Sequence, residues 1–107
     1  MVQSTRPQGN PLACLGNIDP ELLKLIEETQ GVAYGEQQGG LSRKYKLLIA
    51  MAIDASHGAA GGVGSLAKQA LNAGATKQEV GDTLRVVQMI SGVGAMHTAA
   101  QGLKDMF

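Results

Sequence analysis

Apolar residues recur every three or four positions from Asp19 to Phe107, and no segment alternates with a period of two. That spacing predicts amphipathic helices and no strands. Asp19-Pro20-Glu21 opens the first helix. Asp19 can cap free backbone N–H groups, Pro20 suits the first helical position, and Glu21 favours the positive helix end. Leu22, Leu23 and Ile26 give it an apolar stripe, and Gly39-Gly40 closes the region. A second helix starts near Ser42, with Leu41, Tyr45, Leu48, Ile49, Ala52 and Ile53 at helical spacing. Leu47, Ala50 and Met51 add apolar groups off that stripe, so this helix is central or covered by a neighbouring subunit. His57 and Gly58 end it, Gly58 as a left-handed cap. A shorter third helix is expected over 63–72, stopped by Ala73-Gly74. Thr76 and Glu79 form a capping box, followed by Val80, Leu84, Val87 and Ser91. After Gly92-Val93-Gly94, a last helix carries Met96, Ala99, Ala100, Leu103 and Phe107. The expectation is an all-α fold of about five helices in one domain, residues 19–107. Residues 1–18, interrupted by Pro7, Gly9, Asn10, Pro11 and Gly16, read as an irregular arm.

Composition narrows the function classes. The chain has 107 residues, 44% of them hydrophobic, which suits one small domain. Only Tyr34, Tyr45 and Phe107 are aromatic, so aliphatic side chains must fill the core. The formal net charge is zero, and Arg43-Lys44-Tyr45-Lys46 is too short a basic cluster for a nucleic-acid or anionic-membrane surface. Cys14 is the only cysteine, so no intramolecular disulfide can form, and its apolar surroundings suggest a packed side chain. MVQSTRPQGNP has no apolar signal core and no run reaches membrane-spanning length, so the expected compartment is the cytoplasm.

Two groups of residues invite chemistry. Gly62-Val63-Gly64-Ser65-Leu66-Ala67 matches the G-x-G-x-x-A dinucleotide pattern. The preceding run Leu47–Ile53 is helical in period, however, and a capped helix follows Gly74 where a second strand is needed. The glycines read better as a tight turn into a helix start. Backbone N–H groups at Gly61, Gly62 and Gly64 can then bind a carboxylate or phosphate, or be met by water. Asp54 and His57 stand three residues apart, so they share a helix face, and an Asp-oriented imidazole is a candidate general base. The structural alternative is a histidine interacting with the helix dipole. His97, near the start of the last helix, is a further candidate. The spacing of these groups is no recognised metal-ligand set, and no metal or cofactor is expected.

The stretch LSRKYKLLIAMAIDASHGAAGGVGSLAKQALNAGA, residues 41–75, resembles the core of the carboxymuconolactone decarboxylase and AhpD-like family. Leu41-Ser42-x-Lys44-x-Lys46, Leu71-Asn72-Ala73-Gly74-Ala75-Thr76 and Val80 onward carry the resemblance, which extends over residues 19–107. It implies an AhpD-like helical fold assembled as homotrimers or homohexamers. Redox members carry a Glu, a Cys-x-x-Cys pair and a His; without a gap these fall on Leu47, Ala59, Gly62 and Leu66. Peroxidase-type antioxidant activity is therefore disfavoured. The family's non-redox branch, the lactone decarboxylases, implies a cysteine-independent lyase acting on a small carboxylated lactone or related acid. In that reading His57 is the base or hydrogen-bond donor, oriented by Asp54. His97 faces the same cavity, and Gly61, Gly62 and Gly64 receive the developing anion. The competing reading is a non-catalytic binding or assembly subunit.

Overall fold

The computed structural model describes residues 12–107, which form two compact units, one ending at Gly35 and the other spanning Glu36–Phe107. All regular structure among these residues is helical, in six segments. Pro7, Gly9, Asn10 and Pro11 of the expected arm lie outside the described residues.

The first unit contains α1, Ala13–Ile18, and α2, Pro20–Tyr34. The short α1 corrects the expectation of an irregular arm up to residue 18. Gly16 lies within it, and a Cβ there would meet Leu23 Cδ2 at 2.8 Å. That glycine lets α1 and α2 approach closely rather than breaking the helix. Cys14 on α1 is exposed, not packed as expected. Asp19 caps α2 as its spacing implied, accepting from the N–H groups of Glu21 and Leu22 at 3.1 and 3.3 Å. No residue of α2 is buried.

The second unit holds α3 (Arg43–Ser56), α4 (Ala60–Asn72), α5 (Lys77–Ser91) and α6 (Val93–Leu103). Its core is aliphatic and small: Leu47, Leu48, Met51 and Ala55 from α3, Val63, Ala67 and Ala70 from α4, Val80 and Val87 from α5, Ala95, Ala99 and Leu103 from α6. Ser42 precedes α3 but its side chain caps nothing; Glu36 Oε2 instead accepts from Arg43 N–H at 2.7 Å. At the other end of α3, Gly58 has φ +80°, Ala59 N–H donates to Asp54 C=O at 2.9 Å and Gly58 N–H to Ala55 C=O at 3.4 Å. This is a Schellman closure, and Gly74 with Ala75 repeats it at the end of α4. The chain thus turns within Gly58 and Ala59, and α4 begins three residues earlier than its periodicity suggested. Gly61, Gly62 and Gly64 belong to the helix, not to a turn.

The close approach of α4 and α6 explains Gly64 and its counterpart on α6, Gly102. A Cβ on Gly64 would lie 2.5 Å from the Gly102 carbonyl oxygen, and a Cβ on Gly102 would collide with the Ala60 carbonyl oxygen.

The capping box of α5 forms as expected: Thr76 Oγ1 accepts from Glu79 N–H at 3.0 Å and Glu79 Oε1 accepts from Thr76 N–H at 2.9 Å. The other carboxylate oxygen of Glu79 pairs with Lys44 Nζ of α3 at 3.1 Å. The Thr76 N–H first, and Lys44 second, hold the Glu79 carboxyl below its ordinary 4.5; the Glu79 carboxylate raises Lys44 above its ordinary 10.5. The Glu79 contribution is present above pH 4.5 and lost as pH falls through its lowered folded-state value. The Lys44 contribution is present below pH 10.5 and lost as pH rises through its raised value. Melting curves of Glu79→Gln should therefore fall less steeply below pH 4.5 than those of the parent protein. Identical acid profiles would show that this link between α3 and α5 adds nothing.

Candidate functional site

Apolar residues left over from the core gather on one surface. The face of α3 opposite its buried side carries Tyr45, Ile49 and Ile53, which are 44–50% exposed. Beside it α5 presents Val86 and Ile90, 58% and 74% exposed. Between them runs an open groove of about 590 Å³, floored by Leu48, Ala52, Thr83 and Val87. It becomes polar where Ser56, His57 and Ser91 line it. The Ser56 and Ser91 hydroxyl oxygens are 2.8 Å apart, and Ser56 Oγ donates to Ala52 C=O at 3.1 Å. Each hydroxyl has one proton, so with Ser56 committed to Ala52, Ser91 donates to Ser56. Ser91 is left with acceptor lone pairs in a groove also lined by the exposed imidazole of His57, the residue that follows α3.

The other expected site residues lie elsewhere. Asp54 is half-buried, and its carboxylate sits against Gly62, filling the space a Cβ would take there. Asp54 and His57 are joined through the backbone, His57 N–H donating to Asp54 C=O at 3.2 Å, but among the described residues no hydrogen bond joins the Asp54 carboxylate to the His57 imidazole. Asp54 therefore places its negative charge at the N-terminal turn of α4, where Ala59 provides no side-chain cap. The expectation that Asp54 orients His57 is replaced by this helix-to-helix contact. Nor do the three glycines form a common anion site. Val63 N–H already donates to Ala59 C=O at 3.0 Å, so the helical ladder has begun before Gly64. Gly64 faces Gly102, Gly62 faces Asp54, and only Gly61 looks into open space. His97 is exposed on α6 and does not line the groove. Of the residues singled out, then, only His57 reaches the groove.

The positions that would hold a redox centre are apolar. Leu47 is fully buried, Leu66 is half-buried, and Ala59 and Gly62 stand at the start of α4. Among the described residues, no three of His, Cys, Asp and Glu lie close enough together to hold a metal ion. No helix among them is long and apolar enough to cross a membrane.

Periodicity overlooked the α5 wall. Val80, Leu84 and Val87 mark the stripe facing inward, while Val86 and Ile90 form a second stripe one position round the helix. The signal was present, because α5 has more apolar residues than one buried face needs.

The architecture is an all-α domain built on an α3–α4 helical pair, with the sequence features of a dithiol family and no dithiol. The chain belongs to the carboxymuconolactone decarboxylase family, which it matches over residues 20–105. No curated protein and no solved structure is similar enough to count as a match.

Proposed function

We propose that this family member is a cysteine-independent, decarboxylase-like enzyme acting on a small carboxylated lactone or related acid, bound at the His57 end of the α3–α5 groove. The supporting observation is that His57, an acid–base group, lines a groove with an apolar body and a polar end. Ile53, one turn before His57 in the groove lining, suits the carbon skeleton of such a substrate. A carboxylate placed beside that side chain loses hydration that carbon dioxide does not need. The C–C bond to the carboxylate breaks, its electron pair stays on the substrate carbon conjugated with the lactone carbonyl, and His57 returns a proton to that carbon. Asp54, His97 and the α4 glycines have structural roles in this account. We place the protein in the cytoplasm, assembled with itself as a trimer or hexamer.

His57→Ala should reduce carbon dioxide release at least a hundredfold, as expected for loss of an acid–base group, with an unchanged melting temperature. A variant as active as the parent protein would remove His57 from the mechanism. Hydroperoxide turnover with a dithiol donor should be absent, because Cys14 is the only thiol.

A second reading, a non-catalytic assembly subunit, draws on the exposure of Ile49, Ile53, Val86 and Ile90. It predicts no turnover of any carboxylated lactone by the assembled parent protein.

A further inference from the structure

Two unpartnered apolar surfaces match each other. The first is the α3–α5 groove. The second is on α2, where Leu22, Leu25 and Val32 are 40%, 59% and 79% exposed. With Thr29 they stand at spacings of three, four and three, which puts them on one stripe of the helix. A helix of this length without a buried residue has little stability of its own in water, so the stripe implies a partner.

We infer that α2 of one copy of this chain docks in the α3–α5 groove of a second copy. Three observations favour this occupant over a second groove. First, the groove is concave, and two such grooves facing each other would enclose a void, whereas a helix is convex. Second, the lengths agree: Leu22 to Val32 spans about 15 Å of helix and Tyr45 to His57 about 18 Å. The stripe therefore covers the apolar body and leaves the His57 end open. Third, the charges are complementary. Asp19 and α2 carry four carboxylates against Lys24 alone, while α3 and α5 together carry five cations against three carboxylates. Helix-in-groove docking of this kind reads the anchors of an amphipathic helix. Repeated round a rotation axis, this contact closes as a ring; made reciprocally by two copies, it closes as a two-fold dimer. It does not depend on any activity of His57, and its test reads association alone.

Light scattering of the full chain at micromolar concentration should give a closed oligomer. Leu25→Glu and Ile90→Glu, both at exposed positions, should each reduce it to monomer while the helical circular dichroism of the second unit remains. A monomeric parent protein would overturn the proposal, as would oligomers unaffected by either substitution. Because Leu25→Glu can also unravel α2, oxidative cross-linking in a Cys14→Ser background decides the geometry. Mixing a Leu25→Cys chain with an Ile53→Cys chain should give the mixed disulfide as the main product. Predominant Ile53→Cys homodimers would mean groove against groove, and predominant Leu25→Cys homodimers would mean α2 against α2. A double variant that closes its disulfide within one chain would mean that α2 fills its own groove. Each of these three results overturns the proposal.

Discussion

Gly102→Ala is expected to lower the stability of the helical domain by about 3 kcal/mol, the upper part of the usual range for overpacking. The added methyl would collide with the Ala60 carbonyl oxygen and stand 3.1 Å from both Gly64 N and Val63 Cβ. Two of these three atoms are backbone, so no rotamer change relieves the clash, and α4 and α6 must separate. The nearby core offers little slack, because Ala67, Ala95 and Ala99 fill it with minimal side chains. For a domain of this size the melting temperature should fall by roughly 10–20 °C. Gly64→Ala should behave alike, since its methyl meets the Gly102 carbonyl oxygen at 2.5 Å. Gly61→Ala is the control with the opposite sign. Its methyl meets nothing within 4 Å on the same helix, so it should raise stability by about 0.5–1 kcal/mol through better helix propensity. Equal effects at Gly61 and Gly102 would show that the α4–α6 contact is not as close as described.

Leu47→Glu should be more damaging still. Leu47 is fully buried, and it occupies the position where redox relatives carry a glutamate. A carboxylate there would lack the partners that redox relatives supply, since the aligned cysteine and histidine positions are Ala59, Gly62 and Leu66. We expect a loss of more than about 4 kcal/mol at neutral pH. Burial raises the carboxyl pKa in the folded state, so the damage should grow as pH rises through the ordinary carboxylate range. Leu47→Ala, which leaves a cavity without a charge, should cost about 2–5 kcal/mol with no such pH dependence. Equal melting temperatures for Leu47→Glu and the parent protein would mean that this position is wet, with room for the family's redox chemistry.

What could be read from the sequence was local chemistry. The Asp19-Pro20 start, the Thr76–Glu79 box, the left-handed Gly58 and the helix stop at Gly74 each act through bonds within a few residues, and all form as expected. Contacts between helices could not be read in this way. The spacing of Asp54 and His57 gives their relation on one helix, but says nothing of α4, whose Gly62 receives the Asp54 carboxylate. The glycines of α4 read as a tight turn in the sequence, because what requires glycine at 62 and 64, the side chain of Asp54 and the backbone of α6, lies elsewhere in the chain. For the same reason Gly16 reads as a helix breaker in the sequence, whereas in the structure it makes room for Leu23. The groove was half legible, its α3 wall being apolar in excess of the core and its α5 wall hidden behind a more regular stripe.

The central claim is that the working surface is the His57 end of the α3–α5 groove, not the start of α4. Heteronuclear NMR of the labelled protein, titrated with an unreactive carboxylated lactone, locates binding directly. Shifts should concentrate at Ile53, Ser56, His57, Thr83 and Ser91, and His57→Ala should abolish them. Saturable shifts confined to Ala60, Gly61 and Gly62, with His57 and Ser91 unmoved, would contradict the account.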